Sequence, residues 1–301
     1  MATSFSSILV PVDFSINTDV AIQKAMWLAG PADAEIHLLH IMGLTSQPGA
    51  FLMHGISVTS QSTPGYFQQK TQSKLNDIKR TIQKSLPNVS VSTHITTGDI
   101  VQKYIIRHAG KIQPDLIIIG KSKNHDWFPF FKIVNASSIS THTNCPVLTV
   151  KPGGLPNAMK SVVIPVSTFV PTRKIELLRS LTRNHRPRVH LVAIEKEGNQ
   201  NNRSSVFLET YRTLADRYHY PVEYEIIKGK STGKAILQFA KSVMADMVIV
   251  DPNEQSKING ISGVQINDLI LPTSKMSVLT VEPYHFNDVI VSGKSMHETS
   301  V

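Results

Sequence analysis

The sequence predicts an α/β fold built from two doubly wound, five-stranded parallel-sheet domains. Three observations carry that prediction. A long stretch of the chain occurs twice, strand-like runs alternate with helical patterns through each copy, and the strand runs are apolar without alternation. At 301 residues the chain also exceeds one ordinary core; a prior of roughly 150 residues per domain gives two.

The repeat is read directly. Ile8-Leu9-Val10-Pro11-Val12-Asp13 answers to Val162-Val163-Ile164-Pro165-Val166-Ser167, an offset of 154. Residues 98–152 answer to 229–283 without a gap, an offset of 131. Within that segment Lys103 matches Lys234, Ile105 matches Ile236, Ala109 matches Ala240 and Asp115 matches Asp246. Val147-Leu148-Thr149-Val150 recurs unchanged as Val278-Leu279-Thr280-Val281. The offset shrinks because the first copy has a longer connection around residues 43–65. Solenoid repeats run at roughly 20–50 residues, so a period this long is a duplicated domain. The expected domains are residues 1–152 and 153–283, with 151–156 as the linker and 284–301 as a C-terminal tail.

In chain order, residues 8–12 form the first expected strand, followed by a helix over 17–29. Ala21, Ala25 and Leu28 stripe that helix, and Gly30-Pro31 stops it. A second strand over 35–41 leads to a helix striped by Leu75, Ile78 and Ile82, and a third strand covers 89–96. The next helix places Val101, Tyr104, Ile105, His108 and Ala109 on one face; Thr232, Ala235, Ile236, Phe239 and Ala240 repeat it in the second copy. Strands over 115–119 and 146–150 close the first domain. Asp115-Leu116-Ile117-Ile118-Ile119 is apolar without alternation, as a parallel strand covered on both faces requires. In the tail, Val289-Ile290-Val291 reads as a short additional strand.

Composition bounds the function. Hydrophobic residues make up 41% and charged residues 18%, the balance of a globular chain. No apolar run reaches the ~18 residues of a membrane helix, and the start has no basic region followed by an apolar one, so neither membrane nor secretion is expected. The lone Cys145 rules out an internal disulfide framework and a cysteine-cluster metal site, and a cytoplasmic location is the expectation. Lys and Arg exceed Asp and Glu by 31 to 22, a formal charge of +9. That excess raises a nucleic-acid reading. The basic residues are scattered, however, and the densest group, Arg183, Arg186 and Arg188, contains no aromatic residue for stacking bases. A solvated basic surface is the simpler account, and nucleic acid is not expected as a partner.

Ligands of open parallel sheets bind beyond the carboxyl ends of the strands, where the strand order reverses. Those ends deliver Val12-Asp13, Ile41-Met42 and Gly120-Lys121-Ser122-Lys123. Asp13 either accepts hydrogen bonds from a ribose or adenine, or caps the helix that follows, a task Ser15 can share.

At these residues the chain resembles the universal stress protein family in its tandem form. The resemblance rests on Ile8-Leu9-Val10-Pro11-Val12-Asp13-Phe14-Ser15, His37-Leu38-Leu39-His40-Ile41, Thr97-Gly98-Asp99, Asp115-Leu116-Ile117-Ile118-Ile119-Gly120 and Cys145-Pro146-Val147-Leu148-Thr149-Val150. It implies the adenine-nucleotide-hydrolase-like version of the fold, with the two domains forming a pseudo-twofold pair through their last strands, 147–150 antiparallel to 278–281, which covers edges that otherwise invite aggregation. ATP-binding members carry G-x2-G-x9-G-[S/T] after the fourth strand, where glycines let backbone amides approach phosphate. Here those positions are Gly120, Lys123, Ile133 and Val134 in the first copy, and Asp251, Glu254, Val264 and Gln265 in the second. Two glycines and the hydroxyl are missing from the first copy. The second carries carboxylates that repel phosphate. The resemblance leaves Pro11, Val12, Asp13, Ile41 and Gly120 as the adenine and ribose side, with Lys123 as a point charge and Ser137 as a shifted phosphate contact.

The loop also holds Trp127-Phe128-Pro129-Phe130-Phe131. Trp127, Phe128 and Phe130 form either a lid over the site or a docking patch for a protein partner.

Other motifs carry less. Residues 228–234 lack the first glycine and final hydroxyl of a P-loop, since Lys228 and Ala235 stand there. His37 and His40 are three apart on a strand and face opposite ways, which is wrong for a shared metal. There is no Gly-x-Ser-x-Gly elbow, and Cys145 reads as inert packing. The expectation is a tandem stress-response regulator that acts by binding, without catalysis, metal or obligatory cofactor. The alternatives are an ATP-binding switch in the first domain, with or without slow hydrolysis, and a basic adaptor for nucleic acid or an acidic partner. Dimerisation beyond the intramolecular pair stays open.

Overall fold

The structure, a computed structural model, describes residues 5–30, 33–43, 64–121, 134–153, 159–183, 185–195, 203–228, 232–256, 266, 270 and 274–284. The first half runs β1 (Ser7–Val12), α1 (Ile16–Ala29), β2 (Glu35–Met42), α2 (Pro64–Ser85), β3 (Ser90–Thr97), α3 (Val101–Ile112), β4 (Leu116–Gly120), α4 (Ala136–Thr143) and β5 (Val147–Val150). The second half runs β6 (Ser161–Val166), α5 (Thr172–Leu181), β7 (Arg188–Glu195), α6 (Arg203–Arg212), which continues as a π-turn over Thr213–Arg217, then β8 (Val222–Lys228), α7 (Thr232–Ser242), β9 (Met247–Val250), α8 (Pro252–Ser256) and β10 (Ser277–Thr280).

All ten strands join one sheet in the order β3-β2-β1-β4-β5-β10-β9-β6-β7-β8. Each half is parallel and has the same internal order. At the centre β5 and β10 pair antiparallel, with Leu279 opposite Leu148 and Thr280 opposite Val147. That reversal relates the halves by a pseudo-twofold axis and leaves β3 and β8 as the free edges. Predicted strand starts at 89, 115 and 146 each move one residue later, because the residues before them lie outside the ladder; residues 289–291 lie outside the described residues.

Alternate residues of each buried strand feed opposite faces. On β2, Ile36 and Leu38 enter one cluster while Leu39 and Ile41 enter another. The first cluster, under α1, α2 and α5, is continuous across the centre and includes Leu148, Val150, Leu279 and Val281. The opposite face is split into one cluster under α3 and α4 and a second under α7. The halves therefore share a core on one side only. Among the described residues no helix is long and apolar enough to cross a membrane.

Candidate functional site

The order β2-β1-β4 puts the switch point of the first half between β1 and β4, with Asp13 on one side and Gly120 on the other. Pro11, Val12, Asp13, Ile41 and Gly120 are thereby brought to the same end of the sheet, all buried. Asp13, 5% exposed, accepts from Ser15 N at 3.0 Å, Ser15 Oγ at 2.6 Å and Thr18 Oγ1 at 2.5 Å, all at Oδ1. Its own amide donates to Thr18 Oγ1 at 3.0 Å. The carboxylate thus ties the entry of α1 together through hydroxyls, a variant of the expected cap, while Ser15 makes no side-chain cap bond of its own.

Between them Phe14 takes a left-handed backbone (φ 60°), a conformation uncommon for a bulky residue. Its ring lies 4.7 Å from that of His40, and Lys74 Nζ stands 5.2 Å from its centre. His40 Nδ1 donates to the Val12 carbonyl at 2.7 Å. Sequence alone gives Phe14 no role and weighs His40 only as a metal ligand, because nothing in the spacing shows that the two rings meet.

Gly120 is a glycine for a reason internal to the fold. A Cβ there would stand 1.9 Å from the Asn17 carbonyl oxygen, so the first turn of α1 lies directly on it. Lys121, also buried, sends Nζ to the Val134 carbonyl at 3.0 Å. It joins the two ends of the segment that contains Lys123, Trp127, Phe128 and Phe130, all four of which lie outside the described residues. Ser137 is buried on α4 and donates to the Pro252 carbonyl of the second half at 3.4 Å. α4 is a seam helix: Ser140 Oγ accepts from Glu282 N at 3.2 Å, and Thr141 Oγ1 donates to Glu282 Oε2 at 2.6 Å.

The second switch point is built differently. Asp251 ends β9 at the position of Gly120, and Glu254 follows on α8. Lys174 of α5, 2% exposed, contacts Asp251 Oδ2 at 3.1 Å and Glu254 Oε2 at 2.8 Å and donates to the Pro165 carbonyl at 3.2 Å. Asp251 N donates to Glu254 Oε2 at 2.9 Å. Burial works against the Lys174 charge, but the two carboxylates outweigh it and hold the amine above its ordinary range. Burial pushes the Asp251 carboxyl up to about 6 in spite of Lys174. The carboxylates expected to repel phosphate are therefore engaged by an internal cation, whose place on an apolar helix face gave no sequence signal.

On the other face, His37 shares hydrogen bonds with Ser7 Oγ (3.1 Å) and Ser92 Oγ (2.8 Å), and the His94 and His108 rings stand 4.4 Å apart. His108 Nε2 is buried without a hydrogen-bond partner. Burial, aided by His94, His37 and Lys111, lowers that imidazole to about 4. Among the described residues no three His, Cys, Asp or Glu side chains are arranged to hold a metal ion. Cys145 is buried, donates to the Pro114 carbonyl at 3.1 Å, and burial raises its thiol far above the reactive range.

The sequence profile of the Universal stress protein family matches residues 4–151. No curated protein matches the chain. Among solved structures, a universal stress protein from Archaeoglobus fulgidus aligns at TM-score 0.60 and 18% identity, over 92% of this chain and 96% of that one. A functionally unknown protein from Pseudomonas aeruginosa aligns at TM-score 0.56 and 17% identity, over 99% of this chain and 98% of that one. These likenesses share the fold along both halves. The chain thus carries a domain of the universal stress protein family over residues 4–151, and its second half repeats the strand order of the first.

Proposed function

We propose that this chain is a stress-response regulator that works by binding, without turnover and without a nucleotide, with residues 1–152 and 153–283 as its two domains. The observation that supports this reading is the internal use of both switch points. In the first half Asp13 is bonded to Ser15 and Thr18, and Asn17 covers Gly120. In the second half Lys174 occupies the carboxylates at the end of β9. At both switch points these groups make bonds or contacts within the fold.

A second reading, a nucleotide switch in the first domain, has one observation in its favour. Among the described residues the bonds to the Asp13 carboxylate from Ser15 N, Ser15 Oγ and Thr18 Oγ1 all land on Oδ1, which leaves Oδ2 for a ribose hydroxyl. Native mass spectrometry of the purified chain, followed by calorimetry with ATP and Mg, separates the two. We expect no co-purified nucleotide and no heat up to millimolar ATP. Saturable micromolar binding that disappears on Asp13→Ala would establish the switch instead.

A further inference from the structure

The fold changes the meaning of the densest basic group. Arg183 and Arg186 sit in the turn after α5, and the π-turn that ends α6 brings Tyr218 and Tyr220 against Arg186 from a later part of the chain. Arg179 Cζ stands 4.0 Å from the centre of the Tyr218 ring and Arg217 Cζ 5.3 Å from it, while Arg186 Cζ is 5.1 Å from the Tyr220 ring. Arg186 Nε donates to the Tyr218 carbonyl at 3.1 Å. Tyr220 is itself buried, and its hydroxyl is 2.6 Å from Thr182 Oγ1, so the platform under these guanidinium groups is fixed.

Among the described residues, none of Arg179, Arg183, Arg186 and Arg217 has a carboxylate within salt-bridge distance; Arg188, on the edge of the group, is paired with Glu223 at 2.7 Å. Asp216 is the acid of the π-turn and makes no such pair. Arg183 Nη2 and His185 Nε2 are buried without a hydrogen-bond partner. Burial, then the charges of Lys24 and Arg186, hold the His185 imidazole below its ordinary range.

We propose that this ledge, formed by Arg179, Arg183, Arg186 and Arg217 on Tyr218 and Tyr220, is a binding surface for single-stranded nucleic acid. Guanidinium forks match phosphate bidentately. Four of them exceed what one phosphate can engage, which favours a chain of phosphates over a single anion. Arginine side chains held against aromatic rings also give unpaired bases something to stack on. The surface lies in the second half, away from the β1/β4 crevice, so it extends the binding role to a separate place and does not depend on the nucleotide question.

The test is fluorescence anisotropy of the full chain with a labelled oligouridylate of about 20 nucleotides, titrated between about 50 and 200 mM KCl. Four phosphate contacts on a single strand give a log–log salt slope near −3, or a roughly 50-fold loss of affinity across that range. Arg217 is exposed, and Arg217→Glu is expected to weaken binding about tenfold and flatten the slope by about one. Tyr218→Leu keeps every charge and is expected to weaken binding several-fold, with circular dichroism and the melting temperature confirming that both variants fold. Asp13→Ala is expected to bind RNA like the parent, which separates this surface from the crevice. Three results would overturn the proposal: no binding at the lowest salt, Arg217→Glu binding like the parent, or a labelled oligoglutamate binding as tightly as the RNA, which would point to an acidic protein partner.

Discussion

Replacing Lys174 by methionine removes a cation from a place where two carboxylates cannot reach water. Lys174 is 2% exposed and its Nζ is 2.8 Å from Glu254 and 3.1 Å from Asp251. At an effective dielectric near 20 these separations correspond to gross attractions of about 6 and about 5 kcal/mol, most of which offset the desolvation of three charges. The net loss on breaking such a cluster is about 3–5 kcal/mol, since the partner charges remain buried and uncompensated. For a cooperative unit of this size that is a fall of roughly 5–8 °C in melting temperature. The sign with pH is opposite to that of an ordinary stabilising carboxylate. In the variant burial of Asp251 acts without its cation, so that carboxyl titrates above its unfolded value, the folded state binds more protons, and stability falls as pH rises through that window. Urea unfolding at about pH 5 and about pH 8 should show the larger deficit at the higher pH. The triple change Lys174→Met, Asp251→Asn, Glu254→Gln should recover most of it. A loss under about 1 kcal/mol, or an equal loss at both pH values, would refute the argument that Lys174 neutralises this site.

Two further outcomes follow from other positions. Gly120→Ala forces a methyl against the Asn17 carbonyl at 1.9 Å and should cost at least about 2–3 kcal/mol in denaturant unfolding, because backbone rather than a flexible side chain must move; a neutral result would show that α1 does not rest on β4 there. The His108 imidazole, lowered to about 4, contributes stability that is present above about pH 6.5 and is lost as pH falls toward 4. With screening of a half-buried ring the loss is about 1–2 kcal/mol, and His108→Phe should flatten that acid limb in urea titrations; an unchanged limb would place the acid sensitivity elsewhere.

Much of the sheet was legible because continuous apolar runs such as Ile117-Ile118-Ile119 need cover on both faces, and because an identical closing strand in both halves marks where they meet. Helix faces were legible for the same reason: Val101, Ile105 and Ala109 are the buried residues of α3. The site was less so. Asp13 could be named but not assigned, since its role depends on two hydroxyls, Ser15 and Thr18, that belong to a turn geometry sequence does not specify. Lys174 was invisible, because a lysine in a helix normally reads as a solvated position and only the tertiary fold shows its burial. Tyr218 and Tyr220 were invisible as partners of the arginines because a π-turn, which has no strong sequence signature, aims them.

The two halves show how one backbone plan reached two different ends. α1 begins at Ile16, whose counterpart by the repeat is Val170, but α5 begins two residues later at Thr172, after Pro171. Proline at that position lacks an amide and restricts the residue before it to extended conformations, which disfavours an earlier helical start. In the first half the early turn of α1 brings the Asn17 carbonyl onto β4, and only glycine fits opposite it. In the second half the later start withdraws that turn, and a side chain as large as Asp251 fits at the corresponding position. A buried acid then needs a partner, which Lys174 supplies where the first half has Val20. The shift of a helix start by two residues thus links three differences, Asn17 to Pro171, Gly120 to Asp251 and Val20 to Lys174. Glycine at 251 alone would still leave Lys174 paired with Glu254, so one substitution does not convert the second switch point into the arrangement of the first.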